Sequence, residues 1–455
     1  LKIKKFSVAL LAFLLAFSGA LVPKQALADT NPLVEELKAK YEESLTSRKL
    51  SDTLDGFFDA QEEVRIIVEL ESKPGIVIAS SRNISYEQLS AGEKSQISTN
   101  LLAEQQTVKN IIQSKSINME YKNSFTVAMN GFSGIVKFSE IEIIERIPNV
   151  KKVYLANEYE KPETKIDMVT SGDMVTASET WKLDYEGEEQ VVAILDTGID
   201  YTHKDMVLAP GTEVALAESD VNAMALKGKY FTNKVPYGYN YYDLNNEVID
   251  KGPDPSMHGM HVAGTAGANG DVEEGGIKGI APKSQLLAMK VFSNDPIYAT
   301  TFSDIYLVAI DESIKLGADV INMSLGSTAS FYVADSAENV ALQNAVDNGI
   351  VAAVSAGNSG MINYGWGASD PYAAYPWATN PDIGVVGAPG LNAPTLQVAS
   401  VENTNQQARY LTYMVDAVEM KAAMTLAGPT DPATLPADLE YAYGGLGSPE
   451  ELTEV

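Results

Sequence analysis

Cysteine is absent from all 455 residues, so neither a disulfide framework nor thiol chemistry is available. The missing staples exclude no compartment, because a chain this long buries a sizeable core without them. Histidine is scarce: His203, His258 and His261 are the whole supply, so few positions can serve as a neutral-pH base. Basic residues are outnumbered, 33 Lys and Arg against 61 Asp and Glu, for a formal net charge of -28. Phosphate backbones call for a basic face, so nucleic acid is excluded as a partner. That charge suits solubility outside the cell. Long apolar runs are missing beyond the N-terminus, where Phe6 to Val22 is the one candidate.

That run follows Lys2, Lys4 and Lys5 and leads to the small-x-small site Ala26-Leu27-Ala28. Residues 1–28 are therefore read as a signal peptide, leaving Asp29 first and no membrane contact after cleavage. The rival is an uncleaved anchor, for which a 17-residue run ending at Pro23 is short. The first residue is Leu, which fits a non-AUG start codon translated literally.

Residues 60–158 form a small domain in this reading. Val64 to Leu70 is β-branched and strand-like. Leu101, Leu102, Val108, Ile111 and Ile112 fall at helical spacing. Asn130-Gly131 between two apolar runs signals a hairpin. Ser139 and Glu142 form a capping box for a short helix through Arg146, and Val150 to Leu155 closes the set as a strand. The order strand-helix-strand-strand-helix-strand predicts an α+β ferredoxin-like domain, a very common arrangement that fixes no function by itself. Asn157 to Glu189 is polar and reads as a linker.

From Gln190 onward strands and helices alternate. Val191 to Leu195, Leu286 to Phe292, Asp319 to Leu325 and Ile350 to Ser355 read as strands; Phe302 to Leu316 and Ala334 to Asn348 read as helices. This pattern predicts an α/β fold, a parallel sheet with helices on both faces. Ligands of such sheets bind at strand carboxyl ends, where Asp196, Ser324 to Gly326 and Asn358 all fall.

Those residue types suit one chemistry. A serine hydroxyl needs a base, and the base needs a carboxylate to fix its tautomer and stabilise its charged form. Asp196 ends an apolar strand in the turn Asp196-Thr197-Gly198, and His258 begins a small-residue helix able to pack closely. Asn358 carries an amide suited to a developing oxyanion. Taken singly, each motif has a duller reading: a chance turn, two packed histidines or a weak metal pair, and a loop. A metalloprotease helix needs His-Glu-x-x-His, and Gly259 stands where that glutamate belongs. His203 reads as structural and His261 as packing.

In the order VVAILDTGID, HGMHVAGTAG, GIVAAVSAGNSG, the motifs resemble the subtilisin-like serine endopeptidases. The likeness covers about residues 60–455 and most resembles the large secreted and cell-envelope subtilases of Gram-positive bacteria. It implies an Asp196–His258–Ser triad, Asn358 in the oxyanion hole, and an edge at Ser324-Leu325-Gly326 that pairs with an extended polypeptide substrate. It implies that residues 60–158 are an inhibitory pro-region, the enzyme's own intramolecular inhibitor, cut off near Tyr159 to Lys165. Residues 165–412 would then be an incomplete peptidase domain, and 413–455 the start of an inserted protease-associated domain. Pro389 to Asn403 looks like the strand before that insertion, and Leu439 to Gly447 like its beginning. No cofactor is required; structural calcium is common in the family, with the acidic loop Asp243 to Asp254 as a candidate.

Two departures stand out. No G-T-S-M-A motif occurs, and Ser448, the sole serine after Ser400, sits in a helix-capping context. The 455-residue chain is therefore expected to be inert alone, a truncated protease or a remnant whose pro-region binds another subtilase. Met257 and Met260 replace the family's Gly and Thr beside His258.

Overall fold

The computed structural model describes residues 50, 57–162, 171–252, 255–295, 297–298, 300–327, 332–358, 386–401, 409–415 and 418–424. The small domain runs β1 (Glu63–Leu70), α1 (Gly75–Ser80), α2 (Ala91–Ser114), β2 (Glu120–Phe125), β3 (Gly131–Lys137), α3 (Ile141–Glu145) and β4 (Val150–Leu155). Its sheet order, β2-β3-β1-β4, is the ferredoxin-like one, and β1 pairs antiparallel with both β3 and β4. The run VRIIVEL is buried almost throughout because both faces are covered. Ile66, Val68 and Leu70 pack with Val108, Ile112, Phe132 and Ile144 of their own domain. Ile67 points the other way, into a core shared with the peptidase part.

Two local expectations are corrected. Asn130-Gly131 is not a two-residue turn: Phe125 pairs with Gly131, so Thr126 to Asn130 form a longer loop. The box Ser139–Glu142 does not form either. The chain enters α3 through a short 3-10 turn, Phe138–Glu140, and Glu140 accepts from the Lys137 N–H.

The peptidase part is a six-stranded sheet, order β12-β11-β10-β6-β8-β7, and its strand pairs are parallel. Its strands are β6 (Val191–Asp196), β7 (Tyr237–Asn240), β8 (Gln285–Lys290), β10 (Val320–Met323), β11 (Val351–Ser355) and β12 (Leu396–Val398). One sheet face carries α5 (Ser303–Lys315) and α6 (Ala337–Asp347), through Ala193, Leu195, Leu287 and Ile321 against Ile305, Ile310 and Leu342. The opposite face carries α4 (His258–Gly267), through Ile194, Leu286 and Ala288 against Ala263. The fold is thus α/β with helices on both faces, behind a small α+β domain. Among the described residues no helix is long and apolar enough to cross a membrane.

The segment read as a linker is partly structured. Glu158–Glu160 is a strand, β5, and two short helices follow at Ser171–Met174 and Ala177–Trp181. A second compact unit comprises 166–178 and 401–455, and it contains the antiparallel hairpin of β13 (Arg409–Val415) and β14 (Val418–Met424). The expected boundary at 412/413 falls inside β13. Ser448 and 439–447 lie outside the described residues.

Lys234 is a buried cation in this core. Its ammonium donates to the carbonyls of Pro282 and Ser284, and burial pushes its pKa down to about 7. The unfolded chain, at the ordinary 10.5, binds the proton more tightly between these values. Stability contributed here is lost as pH falls through about 7 and rises toward 10.5, at most about 1.4 kcal/mol per pH unit. Urea unfolding at pH 7.5 and 9.5 is expected to show a gain for the wild type that Lys234→Met lacks.

Candidate active site

β6 is buried because it lies between β8 and β10 with helices above and below, and this places Asp196 at its end with no solvent exposure. The chain then turns sharply. Gly198 adopts φ +130, and a Cβ there would sit 2.2 Å from the Val248 carbonyl oxygen. Asp196 Oδ1 accepts from the Thr197 N–H at 2.6 Å and lies 2.8 Å from His258 Nδ1. Asp196 Oδ2 is buried with no hydrogen-bond partner. A carboxylate can only accept, so the neutral ring carries its proton on Nδ1 and keeps Nε2 free as a base.

Close packing produces that contact. His258 is the first residue of α4, and the Gly259 N–H donates to Thr197 Oγ1 at 2.9 Å. A Cβ on Gly259 would lie 2.6 Å from Gly198 O, 2.8 Å from Gly198 N and 3.0 Å from Asp196 Cβ. These neighbours are backbone or the aspartate itself, so they cannot give. Gly259→Ala is expected to cost about 1–3 kcal/mol by overpacking and to part the His258–Asp196 pair, measured by urea unfolding. An unchanged midpoint would contradict the packing.

The two methionines differ in effect. Met257 sits at φ 54, the left-handed region that favours glycine. Met260 accepts the Asp200 N–H on its sulfur at 3.3 Å, so the thioether stands in for a polar group. His261 is exposed rather than packed. His203 Nδ1 accepts from the Asp205 N–H, a structural bond.

Lys290 was not singled out from the sequence. It lies opposite Asp196 on β8, fully buried, and donates to the Thr197 carbonyl. Burial pushes its pKa down to about 8, with Asp250, Asp243 and Asp196 opposing that fall. A lone lysine inside the apolar run LLAMKVF was the available signal. Asp243, in the acidic loop, takes protein donors: Ser293 Oγ at 2.6 Å, Asn294 N at 3.0 Å and Asn240 Nδ2 at 2.8 Å. Asp250 pairs with Lys161 at 3.0 Å. Among the described residues no cluster of three metal-ligating side chains occurs.

The sheet order sets the ends of β11, β10, β6 and β8 side by side, so Asn358, Ser324 to Gly326 and Asp196 share one edge. Asn358 is exposed there. Ser324 Oγ accepts from Asn322 Nδ2 at 3.0 Å, and buried Leu325 gives its carbonyl to Ser355 Oγ at 3.3 Å. Gly326 is pressed against Ala388, where a Cβ would lie 2.6 Å from the carbonyl oxygen, and Ser327 N–H donates to that oxygen. Much of this edge is thus engaged by the chain itself.

The end of the small domain forms a separate two-stranded sheet with the peptidase part. β5 pairs antiparallel with β9 (Thr300–Phe302), with Tyr159 opposite Thr301. The Tyr159 ring is buried 5.6 Å from that of Tyr306, and its hydroxyl donates to Glu338 Oε1 at 3.0 Å. Behind β9, α5 presents two buried carboxylates to the small domain. Asp311 accepts the N–H groups of Thr126, Val127 and Ala128 at 3.3, 2.7 and 2.8 Å. Asp304 accepts from Arg65 Nη2, Asn123 Nδ2 and Ser133 Oγ at 3.0, 3.0 and 2.5 Å.

Known proteins resemble this chain in sequence. The subtilase family profile matches residues 187–434, and the peptidase inhibitor I9 profile matches 67–161. The PII-type proteinase of Lacticaseibacillus paracasei is 38% identical over 348 residues, 75% of this chain and 18% of that one. The minor extracellular protease Vpr of Bacillus subtilis is 30% identical over 316 residues, 66% of this chain and 35% of Vpr. A crystal structure of the epidermin leader peptide processing serine protease of Staphylococcus aureus overlaps 74% of this chain and 69% of its own, at 17% identity and TM-score 0.40. The chain spans about a fifth to a third of the length of the curated relatives it matches. With more than half of its residues inside the family profile, the chain belongs to the subtilase family, with an I9-type inhibitor domain ahead of the peptidase domain.

Proposed function

We propose that the protein is a secreted serine endopeptidase made as a pro-enzyme, with Asp196 and His258 as two members of its triad. The carrying observation is the 2.8 Å Asp196–His258 contact at the end of the six-stranded sheet, together with the separate strand β9 being paired by the tail of the inhibitor domain. In the mechanism a serine hydroxyl attacks the peptide carbonyl and gives its proton to His258 Nε2, while Asp196 stabilises the imidazolium. The same proton then goes to the leaving amine, and water repeats the cycle on the acyl-enzyme. Asn358 donates its amide to the oxyanion. Ser324 to Gly326 and β9 hold the substrate backbone as neighbouring strands. The chemistry needs no cofactor, and calcium is assigned no step.

Residues 1–28 are proposed as the secretion signal, and the acidic charge and extracellular relative fit an extracellular or cell-wall location. The inhibitor domain keeps the cleft filled until its tail is cut between Tyr159 and Lys165. The 455 residues contain no serine motif of the family type. The nucleophile is therefore assigned to a source outside them, and the 455-residue polypeptide is proposed to be inert alone. Sequencing the DNA after codon 455 tests this. A reading frame carrying G-T-S-M-A is expected. A stop followed by unrelated sequence would overturn it and favour a non-catalytic chain whose inhibitor domain binds another subtilase.

A further inference from the structure

The tail that covers β9 also shows which side chains the cleft accepts. Along the extended stretch 158–161, Glu158 and Glu160 face solvent, while Tyr159 and Lys161 turn inward. Tyr159 fills the slot lined by Tyr306 and Glu338. Lys161 reaches Asp250, Nζ to Oδ1 3.0 Å, and the two side chains are only 14% and 1% exposed. The other Asp250 oxygen accepts from Ser256 Oγ at 3.3 Å and the Met257 N–H at 3.1 Å, the two residues just before His258. Asp250 is thereby fixed to the loop that carries the base, facing the occupied cleft.

Among the described residues, Lys161 is the one ion-pair partner of Asp250. When the tail leaves, Asp250 keeps the Ser256 and Met257 donors and the field of buried Lys290, but its direct ion-pair position stands open. A peptide presenting a basic side chain there restores the pair. An apolar one leaves the carboxylate unpaired, and an acidic one repels it. We infer that the cleft selects polypeptides with tyrosine at one position and lysine or arginine two residues further on, and that Asp250 is the specificity-determining residue for the basic one. This rests on the protease reading of the cleft.

The test uses the 455-residue chain carrying Tyr159→Ala and Lys161→Glu, which undocks the tail, with hydrogen exchange at Thr300–Phe302 reporting the opening. Fluorescent peptides of sequence ANEYEKPE, and versions with Arg, Ala or Glu in place of the Lys, are titrated into it. Losing a charge-assisted hydrogen bond weakens binding by about 10- to 100-fold. Lys and Arg peptides are therefore expected to bind at least tenfold tighter than Ala, with Glu weakest. Asp250→Asn, which keeps an acceptor for Met257, is expected to erase the difference, and Asp250→Lys to favour the Glu peptide. Equal affinity for the Lys, Ala and Glu peptides, or a tail that stays docked after the double substitution, would overturn the specificity. Failure of every peptide to bind an opened β9 would overturn the protease reading beneath it.

Discussion

Asp196→Asn is expected to lower kcat by about 10⁴ in the form of the protein that carries its nucleophile, with KM nearly unchanged. The carboxylate spends Oδ1 on both the Thr197 N–H and His258 Nδ1, and it has no exposure through which water could substitute. An amide in its place can turn its NH2 toward the ring, which then holds its proton on Nε2 and cannot act as a base. It also removes the charge that stabilises the imidazolium in the transition state. The substrate contacts proposed along β9 and Ser324 to Gly326 are untouched, so binding is expected to survive. Steady-state kinetics on a peptide substrate measures the split. A fall in kcat below tenfold would show that Asp196 does not orient the base.

Asp304→Ala is expected to cost about 3–5 kcal/mol at the inhibitor-domain interface. Arg65 Nε lies 2.7 Å from Oδ1, an ion pair with the aspartate fully buried and the arginine 17% exposed. Nη2, Asn123 and Ser133 all converge on Oδ2. Removing the carboxylate strands a guanidinium that, among the described residues, keeps its stacking over Phe302 at 4.5 Å. Asp304→Asn keeps one acceptor and is expected to fall between. The readout is hydrogen exchange of β1 to β4 and of α5, together with the urea midpoint. A loss of less than 1 kcal/mol would mean that docking rests on apolar burial alone.

These residues also show what a sequence makes legible. The strands β6 and β8 were readable because a strand covered on both faces leaves a continuous apolar run, and β10 and β11 because β-branched residues lie between turn signals. The contact between Asp196 and His258 has a local signature, because the sharp turn and close packing that produce it demand small residues, Gly198 and Gly259. The interface has none. Asp304 and Asp311 were not singled out from the sequence, yet they are buried because the inhibitor domain covers that face of the helix. A residue's partners more than 150 positions away leave no periodicity. The strand β5 was read as linker for a related reason: its pairing with β9 comes from tertiary docking, and Glu158 and Glu160 make it locally polar. The hairpin at Asn130-Gly131 kept its place but not its turn, because Thr126 to Ala128 give their N–H groups to Asp311 instead of to a tight turn.

The most direct measurement is peptide hydrolysis by the product of this gene expressed together with its downstream DNA, compared with the same product carrying His258→Ala and with the 455-residue polypeptide. Hydrolysis in the first that His258→Ala abolishes, with none in the 455-residue polypeptide, is expected. Hydrolysis that persists without His258, or a 455-residue polypeptide active by itself, would contradict the assignment of these residues as two parts of a serine protease triad.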